Sequence, residues 1–125
     1  MTRAEFEILP RKTQKKLAKQ LYTTVRKEII NDHWEAENAY QDGELRTQTH
    51  HCWEKGMGGA IPLWYYFQKD NLLFWSLTYH HYYHFMPKNK WTKKMKVEFQ
   101  KSVDIKQAMK DDDQNFRKTQ GDATV

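Results

Sequence analysis

Two histidines four residues apart, His80 and His84, are the first pair in this sequence whose spacing suits chemistry. On a helix that spacing puts both imidazoles on one face, where they can share a metal ion. The helical zinc-enzyme signature also sets a glutamate beside the first histidine as a base, and here that position is His81. No cysteine pair and no evident third ligand accompanies them, although His50, His51 or Cys52 could supply one. The expectation is therefore no resident metal and no cofactor. His80 and His84 read as neutral, hydrogen-bonded polar tips of an aromatic helix and stand only as candidate ligands.

The run His50-His51-Cys52-Trp53 holds a thiol beside two bases. A nucleophilic cysteine needs a lowered pKa and a base aimed at it, and neighbours in a chain rarely point at each other. Cys52 reads as a small buried thiol. Glu35 and Glu37 occupy solvent-type helix positions, and Asp111, Asp112 and Asp113 form a cluster near the end of the chain, so no carboxylate pair stands out for acid–base work. A calcium loop lacks its glycine and glutamate at the required offsets. The glycines at 56, 58 and 59 follow no strand and precede no Gly-Lys-Ser/Thr, which argues against a phosphate loop. The expectation is a protein that is not an enzyme.

The elements that would carry these residues fall around an aromatic centre. From Met57 to Met86 the chain is dense in Trp, Tyr and Phe, and its only formal charges are Lys69 and Asp70. Ahead of it, Thr2-x-x-Glu5 reads as a capping box for a short first turn. Beyond Pro10, the recurrence of Leu17, Leu21, Val25 and Ile29 predicts a long amphipathic helix that Asp42-Gly43 stops. Residues 43–59 read as a connector with a Gly-rich hinge. Asn71 to Met86 reads as a helix with Leu72, Trp75, Tyr79, Tyr82 and Met86 on one face. After Pro87, the spacing of Trp91, Met95, Phe99 and Val103 predicts a C-terminal amphipathic helix to about Lys110, broken by the three aspartates. The expected fold is thus all-α and elongated: a long N-terminal helix, a hinge, a short aromatic helix at a membrane edge or interface, and a C-terminal amphipathic helix. The chain is expected to form one non-compact unit, with 1–42 and 87–125 as charged arms and 60–86 as the aromatic segment.

The bulk numbers bear on partners. The chain has 125 residues, a net charge of +5 and a single cysteine, which excludes an intrachain disulfide. Its first residues lack an apolar run and carry Glu5 and Glu7, so no cleaved leader is expected. Sixteen uncharged residues, Asn71 to Met86, would reach about 24 Å as a helix, short of a bilayer's roughly 30 Å hydrocarbon core. Trp64, Tyr65, Trp75, Tyr79, Tyr82, Met86 and Trp91 are the expected interface or membrane anchors. Lys88, Lys90, Lys93 and Lys94 are the expected contacts to lipid phosphate. In layout the chain resembles the small supernumerary subunits of mitochondrial inner-membrane complexes of the respiratory-chain type, though no motif carries the likeness. That layout implies a non-catalytic accessory subunit, inside the cell at an organellar membrane, whose partners are other subunits and membrane lipid. Two alternatives stand beside it: an RNA- or ribosome-associated basic helical protein, since Lys clusters and aromatic rings can meet nucleic acid, and a His-based metal-binding protein.

Overall fold

A computed structural model describes residues 1–33, 39–54 and 62–123. The expected hinge at Gly56, Gly58 and Gly59 lies outside the described residues. Helix α1 (Arg3–Glu7) opens at Thr2, whose Oγ1 accepts the Glu5 N–H at 3.2 Å. The Thr2 hydroxyl in turn donates to the Glu5 carboxylate at 3.1 Å, a variant of the expected capping box. Helix α2 (Arg11–His33) starts directly after Pro10. Its buried Gln14 turns back, and Nε2 donates to the carbonyls of Phe6, Glu7 and Leu9 at 3.1–3.3 Å. One side chain thereby satisfies the loose carbonyl end of α1 and fixes the angle between the two helices.

The all-α expectation is overturned. The described residues are mostly helical, but among them are four short strands in two antiparallel sheets. Strands β1 (Tyr40–Gln41) and β2 (Glu44–Leu45) form a hairpin around Asp42-Gly43, with φ of 51° and 81°. Both turn residues thus sit in the left-handed region, as a tight two-residue hairpin turn requires. Strand β3 (Gln48–His51) pairs with β4 (Leu72–Trp75), setting His50 opposite Leu73 and Gln48 opposite Trp75. The helix expected over 71–86 is therefore delayed. Leu72 to Trp75 are bulky apolar residues that fill a strand, and Ser76 then caps helix α3 (Leu77–Phe85) by accepting the Tyr79 N–H at 3.1 Å. Two 3₁₀ turns, Leu63–Phe67 and Lys69–Asn71, precede β4, and the fully buried Asn71 amide bonds Trp53 and Tyr65 across them.

Helix α4 (Lys93–Ala123) runs past the three aspartates that were expected to end it. They lie mid-helix and each has a partner. Asp113 takes Arg3 at 2.6 Å and Arg117 at 3.0 Å, Asp112 accepts the Tyr65 hydroxyl at 2.7 Å, and Asp111 accepts the Gln107 amide at 2.9 Å. The inward stripe of α4 includes Met95, Phe99, Ser102 and Asp113, all buried, while Val103 is half exposed. A serine and an aspartate therefore hold positions that hydrophobic spacing alone would not select.

The aromatic centre feeds two cores. Leu63 and Phe67 join Phe6 and Ala18, walled by Leu17, Leu21, Tyr22 and Trp64. Trp75 and Tyr79 join Met95 and Phe99, walled by Leu73, Tyr82, Tyr83, Met86 and Trp91. Trp75 is fully buried, meets Phe99 edge-on at 5.3 Å and donates Nε1–H to Glu98 at 3.1 Å. Of the rings expected to seek an outside surface, Tyr65, Trp75 and Tyr79 are buried within the chain. No helix among the described residues is long and apolar enough to cross a membrane.

Candidate metal centre

Strand β3 and helix α3 bring His50, His80 and His84 together. Strand alternation turns His50 inward, where it is 1% exposed and stacks on the diagonal Trp75 at 4.2 Å, 15° from parallel. Helix α3 supplies the other two one turn apart, with Nε2 to Nε2 at 3.1 Å. The β1–β2 hairpin aims that helix. Gln41 Oε1 accepts the Ser76 N–H at 2.8 Å, Glu44 accepts both the N–H and the hydroxyl of Thr78, and Asp42 accepts the Tyr79 hydroxyl at 2.7 Å. Carboxylates at this end also suit the positive pole of the helix. Lys94 pairs with Asp42 from the start of α4, so α3 and α4 meet at the hairpin tip.

One ring nitrogen from each of the three histidines lies within 4.8 Å of the other two. In a tetrahedral zinc site, bonds near 2.05 Å put neighbouring ligand nitrogens about 3.3 Å apart. The His80–His84 pair already has that separation, and the His50 nitrogen needs a movement on the order of 1 Å. His50 Nε2 is engaged by the fully buried Ser102 hydroxyl at 2.8 Å. His50 Nδ1 is buried with no hydrogen-bond partner among the described residues. A buried nitrogen without a partner is uncommon enough to need a reason, and an ion between the rings supplies one. Burial runs from buried His50 through half-buried His80 to exposed His84, so the centre opens to solvent on one side. No Cys, Asp, Glu or fourth His joins the group among the described residues.

The electrostatics keep His50 and His80 ready to bind. Burial, and then the nearby His80, His84 and His51, push the His50 pKa down to about 3. His80 is lowered by burial and by His84, against a raising influence from Glu54. Neutral rings offer lone pairs without a proton to displace at neutral pH.

The other candidates lie elsewhere. His51 stacks on Tyr66 at 4.8 Å, its Nε2 lies 3.0 Å from the Tyr66 carbonyl, and it faces away from the centre. His81 is exposed and touches Phe85. Cys52 is buried, and burial pushes its thiol up to about 11, so it stays protonated; Ser102 hydrogen-bonds it. Of the expected anchors, Tyr65, Trp75 and Tyr79 are buried, and Trp64, Tyr82, Met86 and Trp91 pack partly buried against the two cores. Lys88, Lys90, Lys93 and Lys94 are exposed around the α3–α4 junction. The sequence reading paired His80 with His84 and offered His50, His51 or Cys52 as a possible third ligand without choosing among them, and it did not place Ser102 behind His50. The available signals were the alternation of a short strand and a polar residue on the inward stripe of α4.

No protein-family model, no curated protein and no solved structure matches this chain.

Proposed function

We propose that this protein binds one divalent first-row transition-metal ion, zinc by preference, through His50, His80 and His84, with the fourth coordination position open. The observation that carries the reading is the meeting of three imidazoles from a strand and a helix, one of them a fully buried histidine whose Nδ1 has no hydrogen-bond partner among the described residues. Three imidazole nitrogen ligands match a borderline-soft ion better than calcium or magnesium, which take oxygen. Ser102 holds His50 from behind, as the outer partners of metal-bound histidines do. The accessory-subunit reading drew its support from rings with no cover in their own chain. Tyr65, Trp75 and Tyr79 are buried within the chain and most of the others pack partly against its two cores, so the proposal does not build on it.

The test is metal titration of chelator-stripped protein, followed by calorimetry and by the visible spectrum of the cobalt form. One ion per chain and an intense four-coordinate cobalt spectrum are expected. His50→Ala, His80→Ala and His84→Ala should each weaken binding by about 100-fold or more, as loss of a ligand does, whereas His81→Ala should leave it unchanged. Equal, weak binding by the native chain and all three variants would overturn the reading.

A further inference from the structure

The exposed ligand His84 is also a wall of a groove of about 480 Å³ between the end of α3, the Lys88–Lys90 turn and α4. Tyr83, Trp91 and Phe99 give it apolar surfaces, and Lys88 and Lys96 supply positive charge. No Asp or Glu lines it among the described residues. Tyr83 and Trp91 present nearly parallel rings, 17° apart with centroids at 6.3 Å, and Trp91 meets Phe99 edge-on at 4.7 Å. Trp91 Nε1 is shielded from water and has no acceptor among the described residues. The groove therefore sets flat apolar walls and two cations beside His84, the exposed member of a metal centre that lacks a fourth ligand.

We infer that the groove and the open coordination position together bind a small aromatic oxyanion, a carboxylate or phosphate carried on a flat ring. The inference rests on the three-histidine centre. An anionic oxygen completes the ion's tetrahedron at His84, Lys88 and Lys96 offset the remaining charge, and the ring lies along Tyr83 and Trp91. The apolar walls favour an organic body over a bare inorganic ion, because only the former removes ring surface from water.

The experiment uses the full chain loaded with cobalt, titrated with benzoate and with phenyl phosphate, and reads the cobalt absorption together with tryptophan fluorescence. Both ligands should shift the cobalt bands and quench the fluorescence. Acetate and inorganic phosphate, which lack the ring, should bind about tenfold more weakly. Neutral benzamide should leave the cobalt bands unmoved. The double variant Lys88→Gln/Lys96→Gln changes two exposed side chains and should bind cobalt normally, while its affinity for benzoate and phenyl phosphate falls about tenfold. A normal cobalt spectrum that neither anion alters at about 10 mM overturns the anion inference and leaves the metal centre standing. Undiminished anion binding by the double variant also overturns it. Failure to bind cobalt, visible before any anion is added, removes the centre and this inference together.

Discussion

His50 Nε2 lies 2.8 Å from Ser102 Oγ, joining a strand to the middle of the long C-terminal helix across 52 residues. Both residues are almost fully buried, so the contact is held by the packing on each side. When Nε2 carries the proton and donates it to the serine, Nδ1 keeps its lone pair for an ion. Ser102 is thus a positioning residue rather than a ligand.

Ser102→Ala should leave His50 Nε2 without a partner and let the ring swing. Metal affinity should fall by about 10- to 100-fold, and the apo protein should lose about 1–2 kcal/mol in urea unfolding. A drop in stability with unchanged metal affinity would reduce Ser102 to an ordinary core contact.

His50 also sets a pH dependence. Its folded pKa is about 3, below the ordinary 6.5, so between those values the unfolded chain takes up a proton that the folded chain refuses. Stability of the apo protein should therefore fall as pH drops from 6.5 toward 3, by on the order of a few kcal/mol from this residue. His50→Gln should remove that part of the slope. The check is the difference between the two proteins' urea midpoints across pH 7 to pH 4, which should narrow as the pH falls.

Arg3 anchors the first helix to the last. It donates to Asp113 at 2.6 Å and to the Tyr65 hydroxyl at 2.8 Å, and its guanidinium lies 4.0 Å from the centre of the Phe116 ring. Arg3→Met should cost about 2–3 kcal/mol, because it leaves a largely buried carboxylate with only the exposed Arg117 as its charge partner. Adding Asp113→Leu should recover most of the loss, since the cost of a broken buried pair is the charge left behind. Denaturant unfolding of the single and double variants decides it; a double variant less stable than Arg3→Met would refute the argument.

Gly43 sits at φ 81° at the hairpin tip, with open space where a Cβ would go. Gly43→Ala should therefore cost about 1 kcal/mol through backbone strain alone. Because the hairpin aims α3, metal affinity should fall with it. Equal affinity in the alanine variant would show that Gln41 and Glu44 hold α3 without help from the turn.

Much of the helical framework could be read from spacing. The Thr2 cap, the stripe of α2 and the start of α4 follow from local pattern, because each depends on neighbours within a turn or two. Strand β4 escaped because Leu72 and Trp75 also fit the helical wheel of the residues after them, and Ser76 was not recognised as a cap. Asp42-Gly43 was read as a helix stop, although the same dipeptide is a strong hairpin signal. The break assigned to Asp111, Asp112 and Asp113 failed for a different reason: Arg3, which pairs with Asp113, and Tyr65, whose hydroxyl donates to Asp112, lie far away in the chain. The metal centre was half legible. His80 and His84 are neighbours by helix geometry, whereas bringing His50 to them depends on the register of β3 against β4, which local pattern does not reveal.

Helix α3 is nine residues long and built largely of Thr, Tyr, His and Phe, all weak helix formers. A segment so short does not hold itself together in water. An ion gripping His80 and His84 would clasp successive turns of this helix, so loading should slow amide hydrogen exchange most sharply from Tyr79 to Phe85. The fraying end of a fragile helix would then become the part of the molecule that reports whether the ion is home.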